Sequence, residues 1–314
     1  MWMIATALTV VYIVWGSTYL AIHVAVQTLP PFMMASARFI AAGMILAAIL
    51  VCMGRFRMTR HQVFDSMLIG ALLLLGGNGM VSWAQQEIPS GVTTLIISLT
   101  PLFVALGDWA VWHLFRDGKR GAKPNALTFV GIGLGLVGLI ILVAPSIMAT
   151  DATYLNGYRV LAVIFACLSW CVGSLFTRYA RDAADPFTGA AVQMFFGGLW
   201  LLILSCITCE PLRFNFSLVS QESVLAWIYL VIMGSLVTFT IFIWLMKHAS
   251  PSLVATYSYV NPIVAVFLGW LFLDEPISPR ILLTGGVIVI GVAIITLAAR
   301  TSTNESGSQF DEKR

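Results

Sequence analysis

Apolar runs of about twenty residues recur ten times between Trp2 and Ala299, each closed by a short polar joint. A run of that length crosses the hydrocarbon core of a bilayer as a helix. The pattern predicts helices over residues 2–26, 31–53, 64–86, 90–115, 124–144, 157–179, 187–208, 223–247, 251–273 and 279–299. The short joints make neighbours antiparallel. Two of the runs are interrupted. "VTTLIISLTPLFVALGDWAVW" carries Pro101 in its middle and "LVATYSYVNPIVAVFLGWLFL" carries Pro262, each followed by a tryptophan (Trp109, Trp270). Proline lacks an N–H and its ring crowds the carbonyl four residues back, here Ile97 and Ser258. Inside a membrane, freed carbonyls survive only against protein or a wet cavity. The two prolines therefore predict kinked helices around a central polar site, or kinks that only improve packing.

Composition sharpens this reading. The 314 residues are 59% hydrophobic and 10% charged, with a mean hydropathy of +0.93, whereas soluble domains are roughly half apolar and a quarter charged. An all-α membrane protein is expected. The net charge of +3 sits on the joints, and no nucleic-acid partner follows from it. Five cysteines are an odd number without framework spacing, and Cys206 and Cys209 read as packing residues. No basic leader or small-residue cleavage site precedes the first run, so it is expected to be a retained span. The polar tail at 300–314 is expected to be disordered.

With the N-terminus inside, the inner joints hold 13 of the 17 basic residues, while the outer ones hold Arg159, Arg213 and Arg280, and Arg38 lies within a span. The positive-inside rule then puts both termini in the cytoplasm.

The two proline runs are the fourth and ninth, and the same spacing recurs. "WGSTYLAIHVAVQTLPPFMMASARFIAAG" from Trp15 aligns without a gap with "WCVGSLFTRYARDAADPFTGAAVQMFFGG" from Trp170. Trp15 meets Trp170, Pro31-Phe32 meets Pro186-Phe187, and Gly43 meets Gly198. Gly133 and Gly138 align with Gly286 and Gly291. An odd number of spans per half makes the halves enter the membrane in opposite directions, the signature of alternating-access transporters.

"WGSTYLAIHVA", "PPFMMASARFIAAG", "GNGMVSWAQQEIPSG", "LTPLFVAL" and "YSYVNPIVAVFLGWLFLDEPIS" resemble the EamA family of the drug/metabolite transporter superfamily. The resemblance covers nearly all of residues 5–299. It implies two inverted five-helix repeats at 1–149 and 150–299, a central cavity, an inner-membrane location, and export of amino acids or other small metabolites.

Arg38 lies two turns inside its span, where a charge is costly unless paired or hydrated. It reads as an anchor for a substrate carboxylate, or as a structural arginine bound to carbonyls or reaching the surface; its repeat partner is Gln193. Asn78, Ser82 and Gln86, with Trp83 among them, share one helical face and suit a cavity wall or interhelical hydrogen bonds. Thr94 and Ser98 follow the same logic beside Pro101, as do Tyr257, Tyr259 and Asn261 beside Pro262. Trp15 and Trp170 read as aromatic walls or helix packing, and His23 and Asp108 as groups able to titrate in proton coupling. "GLGLVG" fits a dinucleotide pattern but lies inside an apolar span with no preceding strand, so it reads as close helix packing.

The histidines are scattered and no acid–histidine cluster appears, so neither an enzyme, a metal site nor a cofactor is expected. The expected partners are a small-molecule substrate and the lipid bilayer, with a homodimer left open. A metabolite exporter leads. An organic-cation efflux transporter is the runner-up, with Asp108 its sole intramembrane acid.

Overall fold

The computed structural model describes residues 2–115, 126–148, 156–179, 184–249, 254, 257–275, 277–291 and 293–294. Among them there is helix and no strand. The long helices are α1 (Trp2–Ala25), α2 (Pro31–Cys52), α3 (Arg60–Ala84), α4 (Ser90–Leu114), α5 (Ala126–Met148), α6 (Gly157–Tyr179), α7 (Pro186–Ile207), α8 (Gln221–Met246), α9 (Tyr257–Leu273) and α10 (Pro279–Gly291). Seven of these are long and apolar enough to cross a membrane; the apolar stretches Ala126–Gly138, Val260–Leu273 and Pro279–Gly291 are shorter. The boundary expected near 149 and the tail at 300–314 lie outside the described residues.

The exterior is apolar. On α6, Leu161, Phe165, Leu168 and Val172 lie on one face and are about half exposed, while Val160, Val163, Cys167 and Cys171 face inward. A soluble helix would invert this arrangement, and exposed apolar faces of this extent fit lipid.

Glycine sets the closest approach. A Cβ on Gly43 of α2 would lie 2.6 Å from the Phe195 amide nitrogen and 2.9 Å from the Ala191 carbonyl. A Cβ on Gly198 of α7 would lie 2.8 Å from the Ile40 nitrogen and 3.1 Å from the Ser36 carbonyl. The register that pairs Gly43 with Gly198 also pairs Ser36 with Ala191 and Ile40 with Phe195. Each half of the contact is thus the counterpart of the other. The same holds between α5 and α10: Gly138 meets the Ile288 nitrogen and Thr284 carbonyl, and Gly291 meets the Gly135 nitrogen and Gly131 carbonyl.

Other features also occur in pairs. Both α3 and α8 contain a π-helical stretch, Ala71–Gly79 and Leu230–Val237, a form that costs hydrogen-bond geometry and gathers at functional sites. Past α7 and past α9 the chain turns through a left-handed residue, Cys209 (φ 58°) and Asp274 (φ 51°). Each turn swings the next residue, a glutamate, onto the start of a helix. Glu210 accepts the Phe32 and Met33 amides at 3.2 and 2.7 Å and the Ser205 hydroxyl at 2.9 Å. Glu275 accepts the Ser90 and Gly91 amides at 2.8 and 3.2 Å and the Ser90 hydroxyl at 3.0 Å. The first amides of a helix lack internal partners and carry partial positive charge, so these carboxylates stabilise α2 and α4.

Pro101 splits α4 as its chemistry requires: one helical stretch ends at Ile97 and the next begins at Thr100. Thr100 donates to the Ile97 carbonyl at 2.6 Å, the group that Pro101 cannot serve. Thr100→Val keeps the shape and removes that donor. It is expected to destabilise the protein by about 1–3 kcal/mol, while Thr100→Ser stays near wild type; thermal unfolding in detergent checks both. Pro262 lies inside a continuous α9. Asn261, with its amide oriented to satisfy both groups, donates to the Tyr257 and Tyr12 carbonyls at 3.1 Å, tying α9 to α1.

Candidate functional site

The helices enclose a cavity of about 60 Å³, bordered by Trp15, Thr18, Tyr19, Arg38, Asn78, Thr100, Cys167, Trp170 and Tyr257 among others. They come from α1, α2, α3, α4, α6 and α9, with Gly234 and Phe239 added from α8. Such a volume holds a few waters and is far below the roughly 300–1,000 Å³ of occupied small-molecule sites.

Its aromatic wall is one cluster. Trp15 packs edge-on against Trp170 at 5.8 Å and Tyr257 at 5.3 Å between ring centres, and lies 4.8 Å from Phe242. Trp15 also donates to the Gly234 carbonyl at 3.4 Å, on the π-helical stretch of α8. The two tryptophans that align between the halves therefore touch. Thr18 donates to the Trp15 carbonyl at 2.7 Å, which leaves its hydroxyl lone pairs free to accept.

Arg38 is the charge in this wall. It is 3% exposed, and its Nε donates to Ser235 Oγ at 2.6 Å. Its Nη1 is buried without a hydrogen-bond partner. Among the described residues, no aspartate or glutamate borders the cavity. Among the described residues, the nearby acids are engaged elsewhere: Glu87 with Arg159, Asp108 with Arg178, and Glu210 and Glu275 with helix starts.

Of the residues the sequence singled out, Trp15, Arg38, Asn78, Trp170 and Tyr257 border the cavity. The others do not. Ser82 donates to the Asn78 carbonyl at 2.9 Å, Thr94 to the Ser90 carbonyl and Ser98 to the Leu95 carbonyl at 2.7 Å. Each hydroxyl serves its own helix, so no side-chain donor remains for a solute. Gln193 is buried, and the α7 backbone there packs against Gly70 of α3. Asn261 bridges α9 and α1, and the side chain of Tyr259 lies outside the described residues.

Trp83 and Gln86 belong to a separate polar groove of about 440 Å³ at the end of the bundle that carries the α1–α2 turn. There Arg159 at the start of α6 lies 3.7 Å over the Trp83 ring. It also donates to the Trp83 carbonyl, to Gln86 at 3.1 Å and to Glu87 at 2.8 Å. At the opposite end of α6, Asp108 of α4 pairs with Arg178 at 3.1 Å and accepts the Tyr179 hydroxyl at 2.8 Å. His23 shares a 2.8 Å hydrogen bond with the Gln85 carbonyl. Neither His23 nor Asp108 borders the cavity. Helix α6 is therefore latched at both ends, to α3 at one and to α4 at the other.

Tyr19, Thr18, Thr100 and Cys167 border the cavity and were not singled out from the sequence. Thr18 and Tyr19 lie one turn beyond Trp15, and that i, i+3, i+4 spacing carried the signal. Glu210 and Glu275 were missed too. Their signal was a glutamate-proline pair directly after an apolar run, in "TCEPLR" and "LDEPIS".

A helical protein of membrane-spanning length, with a polar and aromatic cavity between its helices, has the build of a membrane carrier. The EamA-like transporter family matches residues 1–144 and 158–297, and the chain belongs to that family. It is 36% identical over 292 residues to the uncharacterized inner membrane transporter YedA of Escherichia coli K12, covering 93% of this chain and 90% of that one. Protein PecM of Dickeya dadantii is 31% identical over 290 residues, covering 90% and 88%. A crystal structure of another protein superposes with a TM-score of 0.65 over 95% of this chain and 98% of that one, at 21% identity, a likeness of fold.

Proposed function

We propose that this chain is a secondary transporter of the inner (plasma) membrane that exports small metabolites, amino acids or related amphipathic solutes, by alternating access around the Trp15–Trp170 cavity. The carrying observation is reciprocity. The contacts of Gly43 and Gly198, and of Gly138 and Gly291, exchange partners between the two halves of the chain. Two halves related in this way, in inverted orientation, can swap conformations and open a shared site to either side. The matching family is one of EamA-like transporters and YedA is named an inner membrane transporter, which supports a carrier over an enzyme. The basic joints support a cytoplasmic position for both termini, and with that orientation the groove at Arg159 and Glu210 is the outer one.

Opening then requires one end of α6 to release: Arg159 from Glu87 and Trp83 outside, or Arg178 from Asp108 inside. His23 and Asp108 remain the groups through which protons would act, from these ends rather than from the cavity. The organic-cation alternative is weaker, because the cavity wall offers a guanidinium and no carboxylate.

Proteoliposomes loaded with a pool of amino acids are expected to exchange labelled solute saturably. Trp170→Ala, folded by size exclusion, is expected to lose at least about tenfold of that exchange, as for removal of an aromatic wall worth roughly 1.4 kcal/mol or more. A flux that grows linearly with concentration would indicate a channel. Full exchange by Trp170→Ala would remove the site.

A further inference from the structure

We infer that, within the range of amphipathic solutes proposed above, the one this cavity holds best is a small aromatic carboxylate of net charge −1, and that its carboxylate pairs with Arg38. The inference rests on the central cavity being the transport site.

Charge balance carries the argument. Among the described residues the wall holds one guanidinium, buried, which lies 4.6 Å over the Phe39 ring, donates one hydrogen bond to a neutral hydroxyl and keeps an Nη1 donor left over. An uncompensated charge in a dry interior is costly, and a hydrogen-bonded counter-charge relieves that cost. A carboxylate fits the need, because guanidinium presents a planar fork that carboxylates match in two hydrogen bonds. A monoanion brings the site to neutrality. A zwitterion leaves it at one positive charge, and an organic cation raises it to two. Among the described residues, the bordering side chains offer an ammonium aromatic faces and neutral acceptors, the amide of Asn78 and the hydroxyls of Thr18, Thr100 and the two tyrosines, but no counter-charge.

The rest of the wall specifies the body of the solute. The wall residues Trp15, Trp170 and Tyr257 form one cluster with the neighbouring Phe242, its rings edge-on or tilted at 4.8–6.0 Å. Rings in that arrangement part to admit another ring at little loss, since the new contacts replace the old in kind. The present volume of about 60 Å³ is too small for such a solute, so this set of rings must separate on binding.

The test uses three probes that share a phenylethyl body and differ in charge: 3-phenylpropionate (−1), phenylalanine (zwitterionic) and 2-phenylethylamine (+1). Binding to the full chain in nanodiscs is measured by equilibrium dialysis at neutral pH. The expected order places phenylpropionate at least tenfold tighter than phenylalanine, with phenylethylamine weakest. Arg38→Gln is expected to erase the preference, and Arg38→Lys to keep part of it. Phenylalanine binding as tightly as phenylpropionate in the wild-type chain would overturn the inference without any variant. So would a preference that survives in Arg38→Gln. If none of the three binds while Trp170→Ala still abolishes amino-acid exchange, the aromatic-carboxylate inference fails and the cavity reading stands. If exchange is also indifferent to Trp170, the cavity reading fails with it.

Discussion

Leucine at Gly43 is expected to leave little folded protein, whereas leucine at Gly133 is expected to be tolerated. Both glycines lie within apolar helices, and sequence pattern alone does not separate them. At Gly43 the new Cβ would sit 2.6 Å from a backbone nitrogen and 2.9 Å from a backbone carbonyl of α7. Neither atom can turn away as a side-chain tip could, so α2 and α7 must part. That contact runs through the reciprocal Gly198 site, which opens with it. Overpacking in a dense core costs about 1–3 kcal/mol even where side chains can yield, and a clash with backbone belongs at the upper end or beyond. Gly133 faces open space, with nothing within 4 Å of its Cβ, so leucine there meets only the apolar surroundings of the bundle. Thermal unfolding in detergent, with the folded fraction read by size exclusion, compares the two. Equal stability would show that α2 and α7 do not pack through these glycines.

Glutamine at Glu210 is expected to destabilise the protein almost as much as alanine does, by about 2–3 kcal/mol, as for loss of hydrogen bonds to a charged group. The reason is the count of acceptors. Oε1 accepts the Phe32 amide, and Oε2 accepts both the Met33 amide and the Ser205 hydroxyl. Glutamine keeps one acceptor and turns an NH₂ toward the donors it should satisfy. It also removes the negative charge that favours a helix start. A substitution that merely shrank a packed side chain would rank alanine well below glutamine. Chemical denaturation of both variants, with Glu275→Gln as the matched site on α4, decides the matter. A glutamine variant as stable as wild type would mean that the cap is dispensable.

The all-helical class was legible because an apolar run of twenty residues has few stable forms in lipid. The reciprocal glycine contact of α2 and α7 was foreshadowed, because Trp15, Pro31, Phe32 and Gly43 recur in order as Trp170, Pro186, Phe187 and Gly198. The break at Pro101 followed from the missing N–H. About half of the site was visible in the same way: a costly Arg38, two deep tryptophans and an asparagine at membrane depth all border the cavity. Polar side chains such as Ser82, Thr94 and Ser98 looked equally eligible. Hydroxyls can satisfy themselves on their own helix, and sequence does not record which carbonyl they choose.

The sequence by itself determined that this chain is a bundle of apolar helices, one of them broken at Pro101, with an arginine it cannot leave in lipid, since length, periodicity and the missing proline donor are local properties. Only the tertiary structure decided which faces meet. It set Arg38 against Ser235 and left one of its donors unpartnered, brought Trp15 onto Trp170, and carried Glu210 and Glu275 onto the starts of α2 and α4. Those pairings join residues far apart in the chain. They depend on the rotation and depth of each helix, which packing against neighbours fixes and composition does not.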